Sequence, residues 1–271
     1  MGQELAALNE RGLVLVGCGA MGWALLQGWL KGGLAPASVG VIDPNPRAEL
    51  AAAGVRVNGD LPTDPAVLVI AVKPQMMADV LPTLQAHDRG DTLVLTVAAG
   101  VTIAAYEAAF PNAPVVRAMP NTPAAIGQGI SAIIGNAKAG PAQVDLAAML
   151  MGAVGPVVRL TSEDQMDAVT ALSGSGPGYV FYMIEAMAAA GEAQGLPRDM
   201  ALDLARATVA GAGALAMARD DHPSVLRRQV TSPAGTTEAG LKQLMDDQSG
   251  LGPLMNRTVA AAAARGRELG K

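Results

Sequence analysis

The sequence contains few of the side chains that enzymes commonly use as nucleophiles or proton carriers. Its 271 residues include a single cysteine, Cys18, and two histidines, His87 and His222. One cysteine excludes an internal disulfide and a metal site built on a cysteine cluster, which suits a reducing cytoplasm. We therefore expect a cytoplasmic protein without a bound metal, whose chemistry proceeds largely without the usual acid–base groups.

Clusters of positive charge and long apolar runs are also scarce. The formal net charge is −5, and no run of lysine or arginine is longer than Arg227-Arg228, which disfavours a nucleic acid or an anionic membrane as partner. The longest apolar stretches, residues 13–26 and 146–158, are short for a bilayer span and contain glycines. The opening MGQELAALNERG does not resemble a secretion signal. Small molecules are the expected ligands, and we expect no membrane partner.

Short apolar strands alternate with Ala-rich helical stretches over residues 1–160. Hydrophobic residues make up 51% of the chain, which is enough for a large core. Near-continuous apolar strands separated by helices are typical of a parallel sheet covered on both faces. We predict an α/β fold with an N-terminal Rossmann-type parallel sheet domain. Its expected strands are LVLVG, VGVI (39–42), VLVIAV (67–72), LVLTV (93–97), VVRAM (115–119), SAIIG and PVVRL (156–160).

Residues 161–271 have little strand signal and predict a second, all-helical domain. The expected helices are Glu163–Leu172, Tyr179–Ala193, Arg198–Ala218 and Pro253–Leu269. The third of these is apolar nearly all round, so it should be buried on most of its faces, and a second copy of the chain is one way to bury it. This pattern predicts a C-terminal dimerisation domain and a homodimer.

The stretch LVLVGCGAMG has a glycine pattern typical of dinucleotide-binding folds. Gly17, Gly19 and Gly22 form G-x-G-x-x-G directly after a strand and at the start of a helix. Gly17 permits a tight turn, Gly19 lets the backbone approach a pyrophosphate, and Gly22 lets the helix pack on the strand. A bare turn would use the same glycines, but the strand, the helix and the βαβ continuation favour dinucleotide binding, with the helix N-terminus facing the phosphates. NADH or NADPH is the expected cofactor.

Asp43 ends the second predicted strand, 21 positions after Gly22. Its carboxylate can bond the ribose hydroxyls of NAD and repel a 2′-phosphate, or it can cap a helix beginning near Pro44. Both interpretations stay open because they need the same position. Asn45 and Arg47 could still accept a phosphate, so the sequence leaves NADPH open as well.

Two further loops follow predicted strands, AVKPQ (71–75) and AAGVT (98–102). Open α/β sheets bind ligands at the carboxyl ends of their strands, which is where both loops lie. An isolated loop lysine such as Lys73 is usually plain surface. With Pro74 fixing the loop beneath a dinucleotide, we favour backbone contacts to the cofactor.

Hydroxyl side chains concentrate in VTSPAGTTEAGL, residues 230–241, where four of them surround Pro233 and Gly235. Taken alone, such a segment is more often a proline–glycine turn with serine and threonine caps. Four hydroxyls nevertheless exceed what one cap needs. The segment SGSGPGY is typical of a loop at which two helices approach closely, and we expect its Gly176 and Pro177 to shape the nicotinamide pocket.

Several motifs resemble the pyrroline-5-carboxylate reductase family. They are RAMPNTP (117–123), LSGSGPGYVF (172–181) and HPSVLRRQVTSPAGTTEAGL (222–241), following GCGAMG and AVKPQ in the same order over essentially the whole chain. The resemblance implies reduction of the cyclic imine 1-pyrroline-5-carboxylate to L-proline with NAD(P)H, the last step of proline biosynthesis. It also implies a Rossmann domain, here 1–160, and a helical domain, here 161–271, that interlocks with a second subunit, often with dimers assembled into rings.

The same resemblance implies roles for individual residues. Cofactor-binding positions would be Gly17, Gly19, Ala20, Met21, Gly22, Ala71, Val72, Lys73, Pro74, Ala99 and Gly100, in addition to Asp43. Substrate-binding positions would be Asn121 and Thr122 beside the nicotinamide, and Ser232, Gly235, Thr236 and Thr237, with Thr237 nearest the ring nitrogen as the catalytic residue. Ala234 departs from the glycine common in the family, and Asp43 departs from the small polar or basic residues of many NADPH-preferring members.

Hydroxyl groups suffice for this reaction because the reduction of an imine depends less on acid catalysis than the reduction of a carbonyl does. Reducing a carbonyl creates an alkoxide that needs a general acid, whereas reducing a protonated imine turns a cation into a neutral amine. A threonine oxygen can accept the iminium N–H. Backbone N–H groups at the start of the helix that Thr236 and Thr237 introduce can bind the carboxylate.

Two other functions fit parts of the sequence. A 2-hydroxyacid dehydrogenase of the 6-phosphogluconate type uses a helical lysine as its acid–base group, but no lysine lies between Ser173 and Arg198. A non-catalytic dinucleotide sensor would use the helical domain only to dimerise, and the hydroxyl-rich loop disfavours it. Of the two histidines, we expect His222, before Pro223, to cap a helix and His87 to lie on the surface.

Overall fold

The computed structural model describes residues 2–87 and 90–269. It divides into two compact units. The first comprises the chain up to Ser175 together with the segment from Ala262 onward, and the second is Gly176–Ala261.

The first unit is built on one sheet of eight strands in the order β3-β2-β1-β4-β5-β6-β7-β8. The strands are β1 Leu13–Val16, β2 Val39–Ile42, β3 Arg56–Val57, β4 Val67–Ile70, β5 Leu93–Thr96, β6 Val115–Met119, β7 Ser131–Gly135 and β8 Val157–Arg159. Strands β1 to β6 pair in parallel, and the chain reverses its direction of travel across the sheet between β1 and β4. This order is that of a dinucleotide-binding sheet, which confirms the predicted fold class. The short β3 was not predicted.

At the far edge of the sheet, the pairing of β6 with β7 departs from the predicted parallel arrangement, whereas β8 pairs with β7 in parallel as predicted. Strand β7 runs antiparallel to β6, with Arg117 opposite Ile134, and β8 then runs parallel to β7. A parallel connection needs a crossover of a dozen or more residues, usually a helix. Residues 120–130 carry only the 3-10 turn Thr122–Ile126, so the chain turns back beside β6 instead.

Alternation along the strands builds a core on each face of the sheet. In β1, Leu13 and Leu15 pack into one buried cluster, while Val14 and Val16 pack into the other. The first cluster lies against α2 (Ala20–Lys31) and α6 (Pro141–Gly152). There the indole Nε1 of Trp29 donates a hydrogen bond to the carbonyl of Leu150, 2.9 Å away. Because both faces are covered, the central strands β1, β4 and β5 are almost entirely apolar.

The other helices of the first unit are shorter. They are α1 Gly2–Arg11, α3 Glu49–Ala52, α4 Met77–Leu84, α5 Ile103–Ala109 and α7 Met166–Val169. Helix α1 was not predicted, because its sequence is largely polar, although Leu8 is buried in the core. The single helix expected over 163–172 forms instead as a 3-10 turn (Glu163–Gln165), α7 and a π-helical turn (Thr170–Gly174).

The second unit is entirely helical in its described elements. It contains α8 Gly176–Ala193, α9 Arg198–Ala218, α10 Pro223–Gln229 and α11 Thr236–Leu244, and α12 Leu251–Leu269 continues from it into the first unit. Helices α8 and α9 pack closely near Gly191, where an added Cβ would lie 3.2 Å from that of Ala201. The predicted bounds of the helix at 198–218 are confirmed.

Helix α9 is exposed over most of its surface in the single chain. Only Ala201 and Ala205 are buried, while Leu204 is 51% and Met217 is 78% exposed. Its length and composition would also allow it to cross a membrane, and it is the one helix among the described residues that meets this test. The burial expected for this helix is therefore not provided within one chain.

Candidate active site

Three predicted cofactor loops follow neighbouring parallel strands. The glycine loop follows β1, the loop 71–75 follows β4, and the loop 98–102 follows β5, and these three strands are adjacent in the sheet. Backbone hydrogen bonds link the loops to the sheet, with Gly17 N donating to Ile42 O and Ala71 N donating to Val16 O, each at 2.8 Å. The sequence therefore brings these loops together at the carboxyl edge, beside the point where the strand order reverses.

Each glycine of the G-x-G-x-x-G motif has its own reason to be glycine. Gly17 has φ +87°, a left-handed conformation that favours glycine. A Cβ at Gly22 would lie 2.3 Å from the Gly17 carbonyl oxygen, so the start of α2 packs directly on the loop. A Cβ at Gly19 would meet no described atom within 4 Å. Internal packing therefore does not require glycine at position 19, whereas close approach of a pyrophosphate does.

Asp43 braces the glycine loop from the end of β2. Its Oδ2 accepts a hydrogen bond from Cys18 N at 2.7 Å, and its Oδ1 accepts one from Asn45 N at 2.8 Å. No helix begins at Pro44, because the next helix is α3, which starts at Glu49 with Ala48 as its N-cap. The helix-cap interpretation of Asp43 is therefore wrong. The carboxylate instead forms a local turn and supports the loop that follows β1.

A cationic side chain lies close to this edge. The guanidinium carbon of Arg47 sits 5.2 Å from the centre of the Trp23 ring, in cation–π geometry. Its Nη2 contacts Glu49 Oε1 at 3.2 Å, while its Nε is buried without a hydrogen-bond partner among the described residues. The guanidinium of Arg47 therefore has a fixed orientation, four residues after Asp43 in the chain.

The other two loops present backbone rather than buried side chains. Lys73 and Pro74 are exposed, and Pro74 opens the 3-10 turn that leads into α4. Gly100 has φ +75°, so the tip of its loop again needs a left-handed residue. Ala71, Val72 and Gly100 are half-buried, which leaves part of each loop accessible at the edge of the sheet.

Asn121 bridges two backbone segments next to the end of β6. Its Nδ2 donates to Ser173 O at 3.1 Å, and its Oδ1 accepts from Ile130 N at 2.9 Å. Ser173 lies in the π-helical turn, a distortion that often marks functional sites. Thr122 follows with an exposed side chain. Asn121 thus joins the turn of SGSGP to the β6–β7 connection, a role that the sequence did not indicate.

The hydroxyl-rich loop of the second unit is not capped by its hydroxyls. Thr231 Oγ1 donates to Arg227 O, but the hydroxyls of Ser232, Thr236 and Thr237 make no hydrogen bond within the described chain. The N-cap of α11 is Gly235, and Glu238 Oε2 accepts from Ala234 N at 2.7 Å. The capped-turn interpretation is wrong in this respect. Three hydroxyls are left available at the N-terminus of α11, two of them in its first turn.

The rare residues of the sequence have structural roles in this chain. Cys18 is 1% exposed, and burial together with the Asp43 carboxylate raises the pKa of its thiol to about 11, so it is a neutral, apolar group. His222 is the N-cap of α10, with its Nδ1 accepting from Ser224 N at 3.2 Å, as predicted. His87 lies half-buried at the end of a 3-10 turn. Neither the thiol nor the capping imidazole is presented for catalysis.

Two family models match the chain. Residues 163–269 match the model described as pyrroline-5-carboxylate reductase dimerisation. Residues 12–100 match the model described as NADP oxidoreductase, coenzyme F420-dependent. The first match covers the helical region, and the second covers strands β1 to β5.

Individual relatives match over nearly the full length. The chain is 39% identical to a pyrroline-5-carboxylate reductase of Pseudomonas aeruginosa, over 95% of this chain and 96% of that protein. The solved structure of a pyrroline-5-carboxylate reductase from Coxiella burnetii superposes with a TM-score of 0.89 at 33% identity, covering 96% of this chain and 99% of the other. The Plasmodium falciparum pyrroline carboxylate reductase with NADP bound has the same fold, with a TM-score of 0.83 at 24% identity over 96% of this chain and 98% of the other.

Proposed function

The chain belongs to the pyrroline-5-carboxylate reductase family, and from this membership we propose which of its residues carry out the reaction. The protein is an NAD(P)H-dependent oxidoreductase that reduces 1-pyrroline-5-carboxylate to L-proline, the last step of proline biosynthesis. The proposal divides the work between residues 1–160, which bind the dinucleotide, and residues 161–271, which bind the substrate and a second subunit.

The dinucleotide binds along the carboxyl edge of β1, β4 and β5 in this proposal. The pyrophosphate lies on Gly17, Gly19, Ala20, Met21 and Gly22, where N–H groups of the first turn of α2 have no partner inside the helix. The loops containing Ala71, Val72, Lys73 and Pro74, and Ala99 and Gly100, contact the rest of the cofactor. The open space at Gly19 is the observation that best supports this placement.

Either dinucleotide can be accommodated at the adenosine end. The carboxylate of Asp43 favours ribose hydroxyls over a 2′-phosphate, whereas the oriented guanidinium of Arg47 favours the phosphate. The two side chains therefore oppose each other in cofactor choice. Because the negative charge of Asp43 lies at the end of β2, where the adenosine ribose is expected, we propose that NADH is used at least as well as NADPH.

The substrate binds to the loop that leads into α11. The observation that carries this proposal is the set of three hydroxyls, on Ser232, Thr236 and Thr237, which the described chain does not use in its own hydrogen bonds. The backbone N–H groups at the start of α11 suit a carboxylate. The oxygen of Thr237 accepts the iminium N–H, and Ser232 and Gly235 shape the loop around the ring.

The reaction requires the protein to orient the substrate rather than to transfer protons. When bound, NAD(P)H supplies the hydride that adds to the imine carbon, and the C=N double bond becomes a C–N single bond. Thr237 holds the iminium N–H in a defined direction, and Asn121 and Thr122 contact the nicotinamide. The product amine takes up a proton from water, so no histidine, cysteine or lysine is needed as a general acid.

The exposed surface of α9 is the contact surface for a second subunit in this proposal. The match to a dimerisation model spans this helix and indicates a homo-oligomer. A partner chain would cover Leu204, Leu215 and Met217, which water surrounds in the single chain. We propose a cytoplasmic homodimer, with rings of dimers as its higher assembly, in which α9 lies against protein rather than lipid.

The experiment that tests the function is dinucleotide oxidation with the cyclic imine. NADH or NADPH absorbance should fall only when 1-pyrroline-5-carboxylate is present, and proline should accumulate in equal amount. A parallel reaction run in reverse, with NADP⁺ and a 2-hydroxyacid such as 6-phosphogluconate, should show no reduction of the dinucleotide. Turnover of the hydroxyacid without imine reduction would favour the dehydrogenase alternative, and tight dinucleotide binding without any turnover would favour a sensor.

A further inference from the structure

Arg117 is a buried charge to which the proposed chemistry gives no role. It lies within β6, is 4% exposed, and pairs with Glu163 through a contact of 2.6 Å between Nη1 and Oε1. Burying an ion pair costs desolvation energy that the attraction often does not exceed. Stability alone is therefore a weak explanation for this pair.

The carboxylate of Glu163 also holds the first turn of a helix. Its Oε1 accepts a hydrogen bond from Ile103 N at 2.8 Å, although the two residues are 60 positions apart. Ile103 is the first residue of α5, whose N-cap Thr102 makes no side-chain capping bond. The first N–H groups of a helix have no partner within the helix. Glu163 supplies from a distant segment the acceptor that a capping side chain usually provides.

Helix α5 begins where a predicted cofactor loop ends. The loop 98–102 connects β5 to α5 and contains Ala99 and Gly100. On the strand side it is fixed by the bond from Val97 N to Ile70 O, at 3.1 Å. On the helix side the contact from Glu163 to Ile103 N lies next to the loop. The placement of the loop relative to β6 therefore depends on the Glu163 carboxylate and on the guanidinium that orients it.

Glu163 is itself held rigidly. It follows Ser162, whose Oγ accepts from Asp164 N at 3.2 Å, while Gln165 Oε1 accepts from Ser162 N at 3.3 Å, completing a capping box. Met166, three residues further along the chain, is buried in the first unit. A carboxylate fixed in this way can transmit a defined position to α5 rather than follow its motion.

We propose that Glu163 is a positioning residue, which together with Arg117 fixes the N-terminus of α5 and so sets the loop 98–102 for NAD(P)H. Glu163 contacts neither the reacting atoms nor, in this account, the dinucleotide itself. The inference rests on the proposed cofactor role of the loop. It goes beyond that role by naming the side chains that hold the loop in place.

Two double variants separate positioning from stability. Arg117→Met with Glu163→Gln and Arg117→Met with Glu163→Ala both remove the ion pair together, which avoids leaving one charge buried alone. Only glutamine keeps an oxygen that can accept from Ile103 N. With NADH and NADPH as probes, we expect the alanine variant to bind about tenfold more weakly than the parent protein. The glutamine variant keeps the acceptor but loses the guanidinium that orients it, so its affinity should fall between those of the parent protein and the alanine variant.

Two further readouts distinguish loop placement from general damage. Amide hydrogen exchange over residues 98–109 should be faster in the alanine variant than in the glutamine variant. A misplaced loop in the alanine variant should raise KM for the dinucleotide more than it lowers kcat. A fraction of unfolded enzyme would instead lower the apparent kcat and leave KM unchanged. The matched control is Asp145→Asn, which breaks the exposed ion pair with Arg159, 2.6 Å long, elsewhere in the same unit. It should leave dinucleotide affinity unchanged.

Equal dinucleotide affinity in the parent protein and both double variants would overturn the proposal and leave Arg117 and Glu163 a purely structural pair. Imine reduction by the parent protein is measured separately. If the parent binds dinucleotide but reduces no imine, the proposed function fails, while the affinity comparison still decides the role of Glu163.

Discussion

Thr237 combines the features expected of a substrate contact. It lies in the first turn of α11, it is exposed, and its hydroxyl makes no hydrogen bond within the described chain. We expect Thr237→Ala to lower kcat/KM for 1-pyrroline-5-carboxylate by roughly tenfold to a hundredfold. This corresponds to the 1.5 to 3 kcal/mol that a hydrogen bond to a charged group contributes. Thr237→Ser keeps the hydroxyl and should have a mild effect.

Dinucleotide affinity and the midpoint of thermal unfolding are the controls for this variant, and both should stay close to the parent values. Complete inactivation would exceed the loss of one hydrogen bond and indicate misfolding. Parental catalytic efficiency in Thr237→Ala would remove the hydroxyl from the mechanism.

Asp43 contributes one negative charge where the adenosine ribose is expected. Replacing Asp43 with Ser removes that charge, and two unit charges about 4 Å apart interact by roughly 1 to 4 kcal/mol between water and a protein surface. The variant also loses the brace to Cys18 N, so affinity for both dinucleotides should fall. The ratio of kcat/KM for NADPH to that for NADH should nevertheless rise about tenfold. This ratio serves as its own control, because damage to the glycine loop lowers kcat/KM for both dinucleotides and cancels in the ratio. An unchanged ratio would mean that Asp43 only shapes the loop.

Individual residue roles were predictable from sequence only where the determining contact is local. The glycine motif specifies its own turn, and His222 caps the helix that follows it by accepting from a backbone N–H two residues away. Asn121 bonds Ser173, 52 positions along the chain, and its bridging role could not be read from RAMPNTP. The hydroxyls near Thr237 looked like caps because the sequence did not reveal that Glu238 bonds the backbone there.

At the scale of elements, the turn into α11 contains a strained residue. Ala234 has φ +58°, where an L-residue costs about 1 to 2 kcal/mol and glycine costs little. Glycine also adds unfolded-state entropy that costs about 0.4 to 1 kcal/mol. The relief of backbone strain is larger than the entropic cost, so Ala234→Gly should raise the free energy of unfolding by about 0.5 to 1 kcal/mol.

Chemical denaturation measures this difference, and Ala239→Gly in the interior of α11 is the matched control. The same substitution there should destabilise by about 1 kcal/mol, because glycine is a poor helix former. Destabilisation of similar size at both positions would show that the left-handed conformation of Ala234 carries no strain.

Elements with strong local signals were predicted well. The buried strands from β1 to β6 are mostly apolar runs, apart from the two-residue β3 and the arginine within β6, and α9 has no internal proline. The direction of β7 was not predictable from its own sequence, because it follows from the short connection before it. The segment 163–174 has a helical composition but forms three helix types in succession. A capping box starts its 3-10 turn, and Asn121 bonds Ser173 in its π-helical turn.

At the scale of the whole molecule, the apolar surface of α9 requires a partner. Exposed residues such as Leu204 and Met217 lie on a helix that the single chain leaves largely uncovered. The parent protein should sediment as a dimer or a larger assembly at micromolar concentration. Leu204→Lys should dissociate it, because burying an unpaired lysine costs several kcal/mol. The control is Val158→Lys on the edge strand β8, an exposed apolar position in the first unit, which should leave the assembly intact. A parent protein that is folded and monomeric would show that α9 needs no partner.

This chain is expected to move a hydride directly from the dinucleotide to the imine carbon. The most direct test follows the hydride itself. NADH or NADPH carrying deuterium at the transferred position of the nicotinamide is incubated with 1-pyrroline-5-carboxylate, and the proline formed is analysed by mass spectrometry. We expect one deuterium per proline, bound to the former imine carbon. Unlabelled proline, or oxidation of the dinucleotide without proline, would contradict it.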